Sequence, residues 1–396
     1  MYDFKTHMER QGNDALAFDV IPYEGAVVKE GVKRIPMWVA DMNFPVFPGI
    51  IKSMDERLHK PHFGYYNMSD EYYDSIMAWH KKRYGIDVDK ESAGYENGVL
   101  GCLSSSISAC TKKGDCILTN SPVYTGFIKA VENLDRKLIL SPLKKDENGI
   151  YRMDLLDMEK KIKENNIRFC ILCSPHNPTG RVWERKELEE AVSLYAKYDC
   201  TIACDEIWAD IVLKGNKHIP LYSLNKEAEE RSICMYAPSK TFNLAGLIGA
   251  YHIICSKELL KKVEKVSTAT YYNYCNILSM HALTGGYSPE GAVWTDELVE
   301  TLENNIDTAY RFFTEELKGI EVSRPQGTYM LLIDCSKWCS ENSISFDDLL
   351  KRGIYEGIIW NDGRKFHADD SIRLNLALPY DILLEALKRM KESIFV

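Results

Sequence analysis

The run Ala237-Pro238-Ser239-Lys240-Thr241-Phe242-Asn243-Leu244-Ala245-Gly246-Leu247 places one lysine after a proline and a small hydroxyl residue, ahead of an apolar tail rich in Gly and Ala. No other basic residue stands beside it. A solvated surface explains such a lysine poorly. An amine held in a shielded pocket, able to form a Schiff base, explains it well. The run follows Ser232–Tyr236, an apolar stretch of strand length, so Lys240 lies just beyond a strand's carboxyl end.

Working outward, short apolar strands alternate with amphipathic helices from about residue 95 to residue 255. The expected strands are Cys116–Thr119, Lys137–Leu140, Arg168–Cys173, Thr201–Cys204, Ser232–Tyr236 and Ala250–Cys255, and Trp183–Tyr198 is one of the helices between them. Such alternation predicts an α/β fold: a mostly parallel sheet covered on both faces, with ligands at the strands' carboxyl ends. The last hundred residues change character. A charged helix over Trp294–Leu317 leads into strand-like Tyr329–Asp334, further helices and Ser371–Leu378. These residues, packed with the first forty or so, are expected to form a smaller α+β domain.

Composition narrows the function. The chain has 396 residues, 45% hydrophobic and 27% charged, which is enough for a large core and more than one domain. Net charge is −9 and the basic residues are scattered, which argues against nucleic acid or a membrane surface as partner. Met1-Tyr2-Asp3-Phe4-Lys5 leads into polar sequence without the apolar core of a secretory signal, and no apolar run reaches membrane-span length. Twelve cysteines in so long a chain do not make a disulfide framework. Cys170 and Cys173 have a Cys-x-x-Cys spacing, but positions three apart in a strand face opposite ways, so a redox or metal pair is not expected. Buried thiols and a reducing, cytoplasmic location follow.

A lysine of this kind suggests pyridoxal phosphate, which needs an amine, an anion near the ring nitrogen, a donor to the ring hydroxyl, an aromatic against the ring face and a phosphate cup. Asp205 closes the strand Thr201–Cys204 and could face the ring nitrogen; as a bare residue it would equally cap a helix. Ser174-Pro175-His176-Asn177-Pro178-Thr179-Gly180 is a stiff turn that could aim the Asn177 amide at the ring oxygen, with a cis bond expected at Asn177-Pro178. Tyr124, after another strand, could stack on the ring. Asn97-Gly98-Val99-Leu100-Gly101 opens a helix, and the amides at Val99 and Leu100 could bind the phosphate together with the Ser239 hydroxyl. Arg373, alone in the apolar strand Ile372–Leu376, needs an anionic partner. A substrate carboxylate and an internal salt bridge are both open.

Taken in order along the chain, these motifs resemble the fold-type-I pyridoxal-phosphate enzymes, the aminotransferase class I/II superfamily. Within it they most resemble the C–S β-lyases, which are cystathionine β-lyase-like. Met37–Pro45, Phe63-Gly64-Tyr65, Ser174–Gly180, Asp205-Glu206-Ile207, Ser239–Leu247, Gly327-Thr328-Tyr329 and Arg373-Leu374-Asn375 carry the likeness over nearly the whole chain. The resemblance implies a seven-stranded, mostly parallel sheet in a large domain over 46–289 and a small domain from 1–45 and 290–396. It also implies that Lys240 forms the Schiff base and carries the proton, that Asp205, Asn177 and Tyr124 hold the ring, and that Arg373 holds the substrate carboxylate. Ala40 would act through its backbone beside the substrate, and Tyr65 would reach the phosphate of the neighbouring subunit in a homodimer. The implied reaction is α,β-elimination of a cystathionine- or cysteine-type amino acid, with transamination as the alternative. A cofactor-binding regulator is a third reading, against which the intact Lys240, Asp205 and Arg373 set speaks.

The chain departs from that pattern in three places. Trp208 stands where relatives are expected to have tyrosine or histidine, and it cannot accept a hydrogen bond. Gly12–Asp19 and Trp360–His367 also differ, and both fall where the distal end of a substrate would be selected.

Overall fold

The computed structural model describes residues 1–396. Seven strands form the main sheet: β1 Ala93–Glu96, β2 Cys116–Ser121, β3 Lys137–Pro142, β4 Phe169–Cys173, β5 Thr201–Asp205, β6 Ser232–Tyr236 and β7 Ala250–Ile253. Their order is β1-β7-β6-β5-β4-β2-β3. Strands β2 to β6 run parallel, and β7 is antiparallel to both β6 and β1. Six of the seven match expected strands. The seventh, β1, is a four-residue edge strand whose Gly94 and Glu96 give no apolar signal.

The central strands read as unbroken apolar runs because both faces are covered. In β4, Cys170 and Leu172 join the core on one face, while Phe169, Ile171 and Cys173 join the core on the other. The two cysteines therefore point apart, as the strand argument requires. Register matters more for function. Asp205 lies beside Cys173 on one side and Met235 on the other. The carboxyl ends of β4, β5 and β6 are thus level, and the loops carrying Asn177, Asp205 and Lys240 leave from one edge.

A second, antiparallel sheet comprises β8 Glu321–Val322, β9 Met330–Asp334, β10 Asn361–Asp362 and β11 Ser371–Asn375, in the order β8-β9-β11-β10. Its core takes in Ile35, Met37, Trp338, Leu349 and Leu383. The amino-terminal residues divide between the two bodies. Ile35 and Pro36 pair with Ile358 and Ile359, but Phe4, Met42 and Phe44 pack into the core of the main sheet.

The long helix runs over Pro289–Arg311, five residues earlier at its start than Trp294. Ser288 caps it by accepting from the Gly291 N–H at 3.0 Å, and Pro289 occupies the first turn, where no N–H is needed. Its last stretch, Phe312–Glu316, continues as a π turn. No helix is long and apolar enough to cross a membrane.

Candidate active site

The level strand ends open into a cavity of ≈ 940 Å³ whose lining includes Ala40, Val99, Leu100, Tyr124, Asn177, Asp205, Trp208, Ser239, Lys240 and Arg373. Of the residues singled out in the sequence, Tyr65 alone is elsewhere. It is fully exposed, at 110% relative accessibility, and lies outside the lining.

Lys240 sits in the short helix Pro238–Thr241, which starts right after β6. Its Nζ donates to the Ala40 carbonyl at 2.7 Å, and the Tyr329 hydroxyl donates to the same oxygen at 3.1 Å. The ammonium also lies 5.6 Å from the Trp208 ring centroid. Burial, with the Arg373 charge added, lowers the amine pKa to about 8, while Asp41 and Asp205 pull it the other way. Burial wins because desolvation penalises the charged form more than two partly shielded carboxylates favour it. The outcome is an amine able to shed its proton near neutral pH.

Asp205 ends β5 and is only 4% exposed. One oxygen accepts from the Ile207 N–H at 3.1 Å, and no cation forms an ion pair with it. Burial raises its pKa to about 6, partly offset by that N–H and by Lys240. A carboxylate so placed lacks a positive partner at the cavity wall.

Arg373, on β11, is 4% exposed and has no carboxylate partner, which removes the internal salt bridge as an explanation. Nη1 donates to Asn177 Oδ1 at 3.1 Å and Nη2 to the Trp38 carbonyl at 2.9 Å, while Nε has no partner. Phe366 lies against the guanidinium, 4.3 Å from ring centroid to Cζ. Burial lowers its pKa to about 10, so it remains a cation at neutral pH. A buried cation surrounded by neutral groups calls for an anion from outside.

Asn177 uses its Oδ1 on Arg373, which leaves the amide nitrogen as a free donor in the lining. Its turn carries cis bonds at Ser174-Pro175 and Asn177-Pro178, one more than expected. Gly180 closes it at φ +69°, and an added Cβ would lie 2.4 Å from Pro325. The Gly180 carbonyl accepts from the N–H groups of Gln326 and Gly327 at 2.8 and 2.9 Å, locking the turn to the segment leading into β9. On the far side, Gly98 (φ +87°) starts the helix Val99–Cys110, whose first amides have no intrahelical partners. Ser239 also lines the cavity, and its hydroxyl makes no hydrogen bond.

Trp208 is 1% exposed and meets Tyr329 edge-on, with centroids 4.6 Å apart at 76°. It therefore forms a wall beside Lys240. Both divergent segments reach the cavity, through Asp14, Ala15 and Leu16 on one side and Asn361, Lys365 and Phe366 on the other. The sequence reading gave no role to Arg10, Asp41, Asn243 or Phe366. Of these only Asn243 carried a local signal, being an asparagine at a helix end, and it adopts φ +59°.

Comparison with known proteins accords with this geometry. Residues 39–390 match the family described as aminotransferase class I and II, and the chain belongs to that family. Among relatives, it is 32% identical to the cystathionine beta-lyase PatB of Bacillus subtilis, covering 91% of this chain and 92% of that protein. Among solved structures, a PLP-bound protein of Clostridium difficile 630, named only as a candidate aminotransferase, superposes with TM-score 0.91 at 36% identity over all of both chains. The PLP-bound C-S lyase of Staphylococcus hominis gives TM-score 0.87 at 30% identity over 98% of each chain.

Proposed function

We propose that this protein is a pyridoxal-phosphate-dependent C–S β-lyase. It converts a cystathionine- or cysteine-type amino acid and water to pyruvate, ammonium and a thiol. The observation that carries the reading is the buried, anion-free Arg373 sharing one cavity with Lys240 and Asp205, in a chain similar to a cystathionine beta-lyase and to a C-S lyase.

The residues present fit the cofactor. Asp205, a buried carboxylate without a cation, suits a protonated ring nitrogen, and the free Asn177 amide nitrogen suits the ring hydroxyl. Tyr124 lines the same cavity and would offer its ring face to the cofactor, and the amides at Val99 and Leu100 with the Ser239 hydroxyl suit a phosphate. When bound, pyridoxal phosphate supplies an electron sink for the pair released at the substrate α-carbon. Lys240 provides the amine that fastens the cofactor, and its Nζ, freed, takes the α-proton. An amine with pKa about 8 suits that task, since it is partly unprotonated at neutral pH yet still basic. Arg373 holds the substrate carboxylate, and Phe366 and Trp208 shield the cations from water. The backbone of Ala40 orients Lys240.

Incubating the purified protein with cystathionine tests the reading. Pyruvate and free thiol should appear in equal amounts without an added keto acid. Product formed only when 2-oxoglutarate is supplied would assign transamination instead.

The same reading includes a homodimer with shared sites. Phe63, Tyr65, Tyr271 and Tyr274 are exposed aromatics. The two segments touch through the Tyr66 hydroxyl and the Cys275 carbonyl at 2.5 Å, and Asn273 binds the Asn97 N–H beside the helix start. Exposed aromatics on two touching segments suit a second copy, whose Tyr65 would reach the phosphate. Light scattering should give twice the 45.4 kDa chain mass; a monomer retaining full activity would refute this. A large domain at 46–289 that takes in Phe4, Met42 and Phe44, a small one at 290–396 joined by Ile35 and Pro36, and a cytoplasmic location supported by twelve free cysteines complete the proposal.

A further inference from the structure

The segment Trp38–Asn43, which carries Ala40, has almost no regular secondary structure. Its path is set by side chains that grip it. Arg373 and Asn361 hold the Trp38 carbonyl, Asn375 holds those of Val39 and Asp41, and Asn243 clamps Met42 through both N–H and C=O at 2.9 Å. Arg10 differs from these. Its guanidinium binds three consecutive residues at once: Asp41 Oδ2 at 2.5 Å, the Met42 carbonyl at 3.0 Å and Asn43 Oδ1 at 2.6 Å. It lies over Phe18 at 5.3 Å, and its own segment supplies Asp14, Ala15 and Leu16 to the cavity.

We propose that Arg10 is a positioning residue for Lys240: it fixes the Ala40 segment from the amino-terminal side and neutralises Asp41, the carboxylate next to the residue that holds the lysine. This rests on Lys240 being the reactive amine.

The charges facing Lys240 are Arg373 from β11, Asp205 from β5 and Asp41 from the Ala40 segment, and Tyr329 shares its acceptor. Of these, Asp41 alone has a cation bound to it, and that cation is Arg10. Arg10 partly cancels the field by which Asp41 favours the ammonium form. Without Arg10 the carboxylate acts on Lys240 in full, and the amine holds its proton to higher pH. Without Asp41 the favourable charge vanishes and Arg10 is left unopposed, so the amine gives up its proton at lower pH. The two substitutions act in opposite directions, which a merely structural role would not produce.

The test uses the cofactor-free protein and an amine-selective acylating reagent, with Lys240 labelling followed by peptide mass spectrometry across pH. Arg10→Met should raise the labelling midpoint by at least about half a pH unit, making labelling below the midpoint roughly threefold slower. Asp41→Asn should lower it, and Arg10→Lys, which keeps the charge but not the fork, should fall between Arg10→Met and wild type. Shifts in the same direction for Arg10→Met and Asp41→Asn, or none, overturn the proposal. If Arg10→Met does not fold, Arg10→Lys beside Asp41→Asn decides, since an Arg10→Lys midpoint equal to or below that of wild type is the refuting result. Labelling does not depend on turnover, so a failed lyase assay leaves this test standing.

Discussion

Lys240→Ala is expected to lower kcat for elimination by at least about 10⁴-fold, because one amine both fastens the cofactor and moves the α-proton. The same substitution should not weaken the cofactor-free fold at pH 7. Lys240 titrates near 8 in the folded protein against 10.5 as its ordinary value. The folded state therefore binds fewer protons than the unfolded chain between those pH values. Below about pH 8 the lysine opposes folding by up to about 3 kcal/mol, since each pKa unit is worth about 1.4 kcal/mol. That burden fades as pH rises from 8 towards 10.5. Removing the side chain also loses the hydrogen bond to Ala40, worth about 1 kcal/mol. Alanine should thus match or exceed wild type in melting temperature at pH 7, and lose that advantage by pH 10. Pyruvate release and thermal melts at both pH values check the two halves. A kcat within a hundredfold of wild type would remove Lys240 from the chemistry, and a large loss of stability at pH 7 would refute the electrostatic account.

The parts legible in the sequence are those that neighbours along the chain determine. The central parallel strands are doubly buried, so they showed as apolar runs, and Asp205, Asn177 and Lys240 showed because each follows such a run. Strand β1 did not, since an edge strand with one buried residue in four has no apolar run. The helix start at Pro289 was recoverable from Ser288-Pro289, a cap followed by a first-turn proline, but the apolar pattern becomes plain only near Trp294. The site's remaining members were invisible for a different reason. Asn243 meets Met42 across 201 positions, and Tyr329 meets Ala40 across 289. Their roles exist only once segments distant in the chain are folded together. Arg373 falls between these cases: a lone cation in an apolar strand is conspicuous, but whether it has an internal partner is a three-dimensional fact.

Arg373→Lys, a charge-conserving change, is expected to cost about 10²-fold in kcat/KM, mostly through KM. A guanidinium has five N–H donors. One goes to Asn177 Oδ1 and one to the Trp38 carbonyl, which leaves three for an incoming carboxylate, including the unpartnered Nε. Lysine has three donors on one atom and cannot keep both protein bonds while offering a two-pronged contact. It also loses the flat face that lies against Phe366. Truncating one partner of a buried charged pair commonly costs 2–5 kcal/mol, roughly 30- to 5000-fold, and a retained charge places the expected loss towards the lower end. Affinity for pyridoxal phosphate should change by less than about tenfold, because Asp205, Lys240 and the helix-start amides are untouched. Steady-state kinetics with cystathionine, beside a cofactor titration followed by absorbance, separates the effects. A fall in kcat with KM unchanged would mean that Arg373 serves only to hold Asn177 in place, because removing a ground-state contact to the substrate must appear in KM.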